Sequence, residues 1–256
     1  MLHPAPEGAP AMQPVQVADP ATFIPLLEFD DFASFSKAFP YANDGVYELL
    51  YDLCKESIKT KRRPVAIANL KKIFQATFKI CAQRSFEAMS LRELSTGTGI
   101  SMGGLYACLQ SKQDLVLMAQ VVVDHINHSL DAAVLSEQDP WRRLQQAIRT
   151  HIYISTPLQP WFFLLYFETH TLEPEQQLRS KNIEMRSMRA MQLLIEEGVA
   201  QGQLRTDDAQ GVATIIIATL QDWYLKPWKY RELRVDADAY ANQLLASTAK
   251  LLEVQK

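Results

Sequence analysis

Residues 90–115 read Ser-Leu-Arg-Glu-Leu-Ser-Thr-Gly-Thr-Gly-Ile-Ser-Met-Gly-Gly-Leu-Tyr-Ala-Cys-Leu-Gln-Ser-Lys-Gln-Asp-Leu. The stretch divides into a short helix, a glycine turn, a second short helix and a fresh helix start at Ser111, which is the layout of a helix-turn-helix. Ser90 is placed to accept orphan backbone N–H groups at the first helix, and Glu93 three residues on completes a capping box. Leu91 and Leu94 supply the buried edge. Gly99 falls where the chain must leave the helix, a position that often needs the left-handed conformation glycine adopts cheaply. Ile100 plugs the angle between the helices, and Ser101 caps the second one. There Leu105 and Leu109 repeat at i, i+4 and face inward, leaving Met102, Gly103, Tyr106 and Gln110 outside.

Gly103 and Gly104 stand together inside that second helix, where each costs roughly 1 kcal/mol relative to alanine. Such a pair is kept where something must approach the backbone closely. A loop is the plainer reading of glycine content, but a loop does not also supply two capping serines and correctly spaced leucines.

Residues 73–115 resemble the DNA-binding domain of the TetR family of transcriptional repressors. Ile73 to Phe86 is similar to that family's first helix, Leu91 to Ser95 to its second, Gly99 to Tyr106 to its turn and recognition helix, and Ser111 to Leu115 to the start of its fourth. The departures are Ser85 where glycine is usual, Cys81 and Leu109 where phenylalanine is preferred, Cys108 where histidine is frequent, and Gln113 in place of glutamate. The core replacements remain apolar, so the fold is expected to survive them; Cys108 is expected on the helix that reads DNA.

The resemblance implies that Ser90, Tyr106 and Lys112 hold phosphates while Ser101, Met102 and Gly103 lie against the bases. Arg92 and Gly104 are placed with them as DNA contacts. It also implies a homodimer on a pseudo-palindromic, double-stranded operator, built on the last two helices, with an effector cavity among the fourth to eighth helices.

The chain has 256 residues and a net charge of −3. Between residues 59 and 115, however, ten basic residues (Lys59, Lys61, Arg62, Arg63, Lys71, Lys72, Lys79, Arg84, Arg92, Lys112) face three acidic ones (Glu87, Glu93, Asp114), a net of +7 that leaves −10 elsewhere. That asymmetry suits one nucleic-acid-binding domain in an otherwise acidic chain. The run Lys59 to Arg63 reads either as a solvated linker or as a flexible arm on phosphates or in the minor groove.

The fold class expected is all-α: an N-terminal three-helix DNA-binding domain with the helix-turn-helix, then a larger helical ligand-binding and dimerisation domain. Residues 1–60 form an extension, proline-rich and partly disordered, with a helix over 44–60 capped by Asp44. Residues 61–115 form the DNA-binding domain, Pro64 opening its first helix. Residues 116–256 form the effector domain. Its helices run from about Gln113 into the 130s, from Pro140 to Ser155, from Trp161 to His170, from Glu173 to Val199, from Asp207 to Leu225, and onward from Asp236.

The C-terminal aromatics and methionines are the ligand-binding candidates: Tyr153, Trp161, Phe162, Phe163, Tyr166, Phe167, Met185, Met188, Trp223, Tyr224 and Trp228, with His125. Any one of them is more often core than cavity wall, but as a group they suit a small hydrophobic effector. Lys226, Lys229 and Arg231 beside Trp228 would meet an anionic end, as in an acyl-CoA or a hydrophobic acid. His125 and His128 at i, i+3 are weak metal candidates, and Cys108 a weak redox switch.

No glycine-rich phosphate loop, G-x-S-x-G elbow or metal-ligand cluster is present, so no catalytic residue, cofactor or metal is assigned. No apolar run reaches membrane-spanning length. Three cysteines without metal spacing and a proline-rich, non-basic start point to a cytoplasmic protein. The competing reading is a non-enzymatic helical adaptor binding partners through its aromatic surface.

Overall fold

The computed structural model describes residue 29, residues 31–134 and residues 138–254. Twelve α-helices and no strand occur among them: α1 Phe32–Ala38, α2 Gly45–Cys54, α3 Arg63–Cys81, α4 Leu91–Thr98, α5 Met102–Tyr106, α6 Gln113–Val134, α7 Pro140–Ser155, α8 Gln159–Glu168, α9 Pro174–Ala200, α10 Ala209–Leu225, α11 Pro227–Glu232 and α12 Ala237–Leu251.

α3, α4 and α5 make the small bundle. Pro64 sits in the first turn of α3, where its missing N–H costs nothing. Leu70, Ile73, Phe74 and Thr77, four residues of one helical stripe, are buried beneath α4. α6 leaves the bundle and joins α7, α8, α9, α10 and α12 in the larger domain. Asp114 starts α6 by accepting the backbone N–H groups of Gln110 at 2.6 Å and Ser111 at 3.3 Å.

The extension differs from its expected form. Of the segment to about residue 40, expected to be disordered or loosely docked, residues 1–28 and 30 lie outside the described residues, while residues 31–41 are folded and docked. Asp31 caps α1 by accepting the Ser34 N–H, and Phe35, Phe39 and Tyr41 are buried. The Phe35 ring lies 5.0 Å from Phe39 and 5.5 Å from Tyr153 of α7, and the Phe32 N–H donates to Asp238 of α12 at 2.9 Å. Isolated aromatics without helical periodicity concealed this helix, because its partner face lies more than a hundred residues away.

α2 ends at Cys54 rather than at residue 60. Asp44 makes no side-chain cap there and instead receives the Lys71 ammonium at 2.7 Å. α2 packs on α3 and α6, burying Val46, Leu50 and Leu53, so this helix braces the joint between the two domains.

Candidate nucleic-acid interface and internal cavity

The helix-turn-helix closes through its nearest neighbours in sequence. Ser90 Oγ accepts the Glu93 N–H at 3.3 Å while the Glu93 carboxylate accepts the Ser90 N–H at 2.9 Å. Arg84 pairs with the same carboxylate and, with Ser90, lowers its pKa. Gly99 adopts φ +69°. Ser101 Oγ accepts the Gly104 N–H at 3.2 Å and starts α5. Leu105 and Leu109 are buried, as their spacing predicts.

The two glycines separate in role. A Cβ on Gly104 would stand 2.8 Å from Ile100 Cγ2, so this glycine admits the plug of the turn. A Cβ on Gly103 would meet nothing within 4 Å, and Gly103 lies on the exposed side. Tyr106 is 47% exposed beside it. Ser101 and Arg92 are exposed, whereas Met102 is half buried against the core. Arg92 borders a groove between α3 and α4 that Lys72, Gln75 and Lys79 also line.

Three expectations change here. The Lys112 ammonium, assigned to phosphate, donates to the carbonyls of Glu87 at 2.7 Å, Met89 at 3.3 Å and Phe86 at 3.4 Å, so it braces the 3-10 turn at Phe86–Ala88. Cys108 lies beyond α5 and is buried, and burial raises its thiol pKa; it is neither on the reading face nor a ready thiolate. The basic arm is not loose: the N–H groups of Lys59 and Thr60 donate to the Ala107 carbonyl at 2.9 and 3.3 Å, and Arg63 is paired with Glu48 and Asp52.

In the larger domain a cavity of about 440 Å³ opens between α6, α7, α8, α9 and α10. Phe162, Leu165, Tyr166, Ile217, Leu220 and Tyr224 form its apolar wall. Gln120, Asn127, His151, Ser180, Lys181 and Glu184 add polar groups. His151 Nε2 is buried without a hydrogen-bond partner, and burial holds the imidazole pKa down to about 4, so the ring is neutral.

Of the expected ligand residues, Phe162, Tyr166 and Tyr224 line this cavity and the others do not. Trp161 stacks on Phe74 of α3 at 4.4 Å and contacts Phe78 and Tyr47, sealing the joint with the helix-turn-helix bundle. Tyr153 lies beneath α1 and bonds Asp238. Trp223 stacks on Tyr240 at 4.7 Å and donates to Thr156 at 3.0 Å, in a separate smaller pocket. Phe163 packs on Phe167, while Phe167, Met185 and Trp228 are exposed. Met188 faces α10, where Thr214 donates to its sulfur.

His125 is half buried on α6 and outside the cavity's lining, and His128 faces Asp124 at 3.2 Å. No group of three or more metal-ligating side chains occurs among the described residues. Lys226 and Lys229, assigned to an anionic ligand end, both pair with Asp222; the cation at the cavity is Lys181. Apart from His151, a histidine the sequence also offers as a partner of the effector, these polar lining residues escaped sequence reading because they are scattered over α6 and α9 with no shared spacing.

One helix belongs to both regions. α8 turns Phe162, Leu165 and Tyr166 into the cavity and Trp161 onto α3. Just past its end His170 lies 3.7 Å from Glu87, in the 3-10 turn before α4.

Residues 137–232 match the family model of the tetracyclin repressor-like C-terminal domain. Over those residues the chain is similar to that domain. Its all-α fold is that of TetR-family structures. A regulatory protein in the tetR family from Rhodococcus RHA1 superposes with a TM-score of 0.63 at 18% identity, over 74% of this chain and 98% of that one. AibR in complex with isovaleryl coenzyme A and operator DNA gives 0.61 at 18% identity, over 73% of this chain and 100% of its own. FadR from Bacillus subtilis in complex with stearoyl-CoA gives 0.55 at 14% identity, over 71% and 98%. At these identities the likeness is one of fold. No curated protein matches the chain in sequence. No described helix is long and apolar enough to cross a membrane.

Proposed function

We propose that this chain is a ligand-responsive, DNA-binding transcriptional regulator, acting as a homodimeric repressor that a small hydrophobic effector releases from its operator. The observation that carries the reading is α8, which forms one wall of the cavity and stacks Trp161 on the helix-turn-helix bundle. A ligand that prefers one position of α8 and α6 thereby favours one orientation of α5, a population shift set by its differential affinity for the two states.

Ser101, Gly103 and the exposed Tyr106 form the face offered to a major groove, with Met102 at its edge and Arg92 and Ser90 at the phosphates. Tyr106 is the phosphate contact with strongest support; Lys112 supports the same face indirectly, by bracing the turn before α4. The outer faces of α10 and α12 are the dimer surface proposed: Ile215 is 51% exposed and Leu251 46%, and both border a shallow apolar groove between these helices. Two copies joined there would present their α5 helices to half-sites about one helical turn apart, roughly 34–36 Å.

For the effector, an acyl-CoA or a hydrophobic acid fits an apolar wall with Lys181 at the cavity, and two fold neighbours are described with acyl-CoA ligands. The test is retention of genomic fragments on the purified protein at physiological salt, followed by release with a panel of acyl-CoAs. Enrichment of one inverted repeat, eluted by a member of the panel, is the expected result. Retention without a shared motif, or none, moves the reading to an adaptor.

A further inference from the structure

The ten basic residues between 59 and 115 are not equally available to DNA. Arg63 is held by Glu48 and Asp52, Lys71 by Asp44, Arg84 by Glu93, and Lys112 by three carbonyls. The side chains of Lys59, Lys61 and Arg62 are exposed and have no partner among the described residues. These three are consecutive with Thr60 on the linker between α2 and α3, whereas the other exposed cations, Lys72, Lys79 and Arg92, are spread along the groove between α3 and α4.

That segment is fixed in place at both ends. Upstream, Ile58 is buried and α2 packs on α3 and α6. Downstream, Arg62 is extended (φ −76°, ψ 99°) and leads directly into α3. Between them the Lys59 and Thr60 N–H groups share the Ala107 carbonyl, which caps the C-terminal end of α5 one residue after the exposed Tyr106. A loose arm loses about 1–2 kcal/mol of backbone entropy per residue when it settles on a ligand; a linker already bonded to α5 has lost it on folding.

We propose that residues 59–62 form a second DNA-binding element, a fixed ledge beside the recognition helix on which Lys61 and Arg62 hold the phosphates flanking the bases that α5 reads. The proposal rests on the regulator reading. It assigns DNA as the occupant because the ledge offers adjacent cations with no apolar or aromatic side chain between them, the chemistry of backbone contact, and because it is bonded to the helix that carries the reading face. About a quarter of this chain lies outside the match to the fold neighbours, which are covered almost end to end.

The test uses the full-length protein and a 30-base-pair duplex of mixed sequence, with binding followed by fluorescence anisotropy from about 50 to 200 mM salt. Lys61→Ala with Arg62→Ala is expected to reduce the salt slope by about 1.8, at about 0.9 per phosphate contact, and to weaken binding about tenfold at the upper end of that range. Lys37→Ala, which removes one exposed charge from α1, is expected to leave the slope unchanged. Circular dichroism checks that the double variant keeps its helices. A double variant that retains the parent's slope and affinity overturns the ledge while leaving the regulator reading intact. Failure of the parent protein itself to bind the duplex overturns both.

Discussion

Within residues 90–115 the caps and the turn are made by neighbours in the chain: Ser90 with Glu93, Ser101 with Gly104, Gly104 with Ile100, Asp114 with Gln110. The cavity wall instead draws side chains from five helices, from Gln120 on α6 to Tyr224 on α10. The first region is therefore legible three or four residues at a time, and each of its parts can be checked alone. The second exists only after the helices have packed. Large aromatics are a poor guide to it, because each goes to whichever interface buries it best: Trp161 went to the joint with α3, Tyr153 to the underside of α1, and Trp223 to a stack with Tyr240.

The sharpest way to break this contrast is to remove a core side chain from the local region. Leu105→Ala is expected to cost about 2–5 kcal/mol, as for other fully buried leucines, and hydrogen exchange should show protection lost across residues 91–106 before residues 140–251. Uniform loss over both would mean that the two regions are one cooperative unit and that the comparison fails energetically.

A pH titration examines the other region. The His151 imidazolium is disfavoured only in the folded chain, where burial brings the pKa from 6.5 to about 4. As pH falls below 6.5 protons therefore bind the unfolded chain first, and stability drops between pH 6.5 and about 4 by up to about 3 kcal/mol. His151→Leu should flatten the urea-midpoint profile over that window, and an unchanged profile would place its cause elsewhere.

The smallest expected effect is a difference in sign between adjacent residues. Gly104→Ala crowds Ile100 and is expected to destabilise by about 1–3 kcal/mol, whereas Gly103→Ala meets open space and should add up to about 1 kcal/mol through helix propensity. DNA affinity separates them again: Gly103→Ala places a methyl on the reading face and should weaken binding despite the gain in stability. Equal thermal shifts for the two variants would show that glycine is kept here for the backbone alone.

Caps, turns, amphipathic stripes and the clustering of positive charge could all be read from the chain, since each depends on residues within one or two helical turns. That is why α3 to α10 and α12 lie close to their expected places, while α11, six residues between Pro227 and Leu233, and α1, built of aromatics without a repeat, do not announce themselves. Charge illustrates the limit most clearly. The sequence by itself determined that ten cations gather between residues 59 and 115; only the tertiary structure decided that four of them are consumed by carboxylates and carbonyls and that Lys59, Lys61 and Arg62 stand free beside α5. The reason is range: a hydrogen-bonding cap is satisfied by its own turn, but the partner of a long basic side chain, like the lining of a cavity, comes from whatever distant segment packing brings alongside.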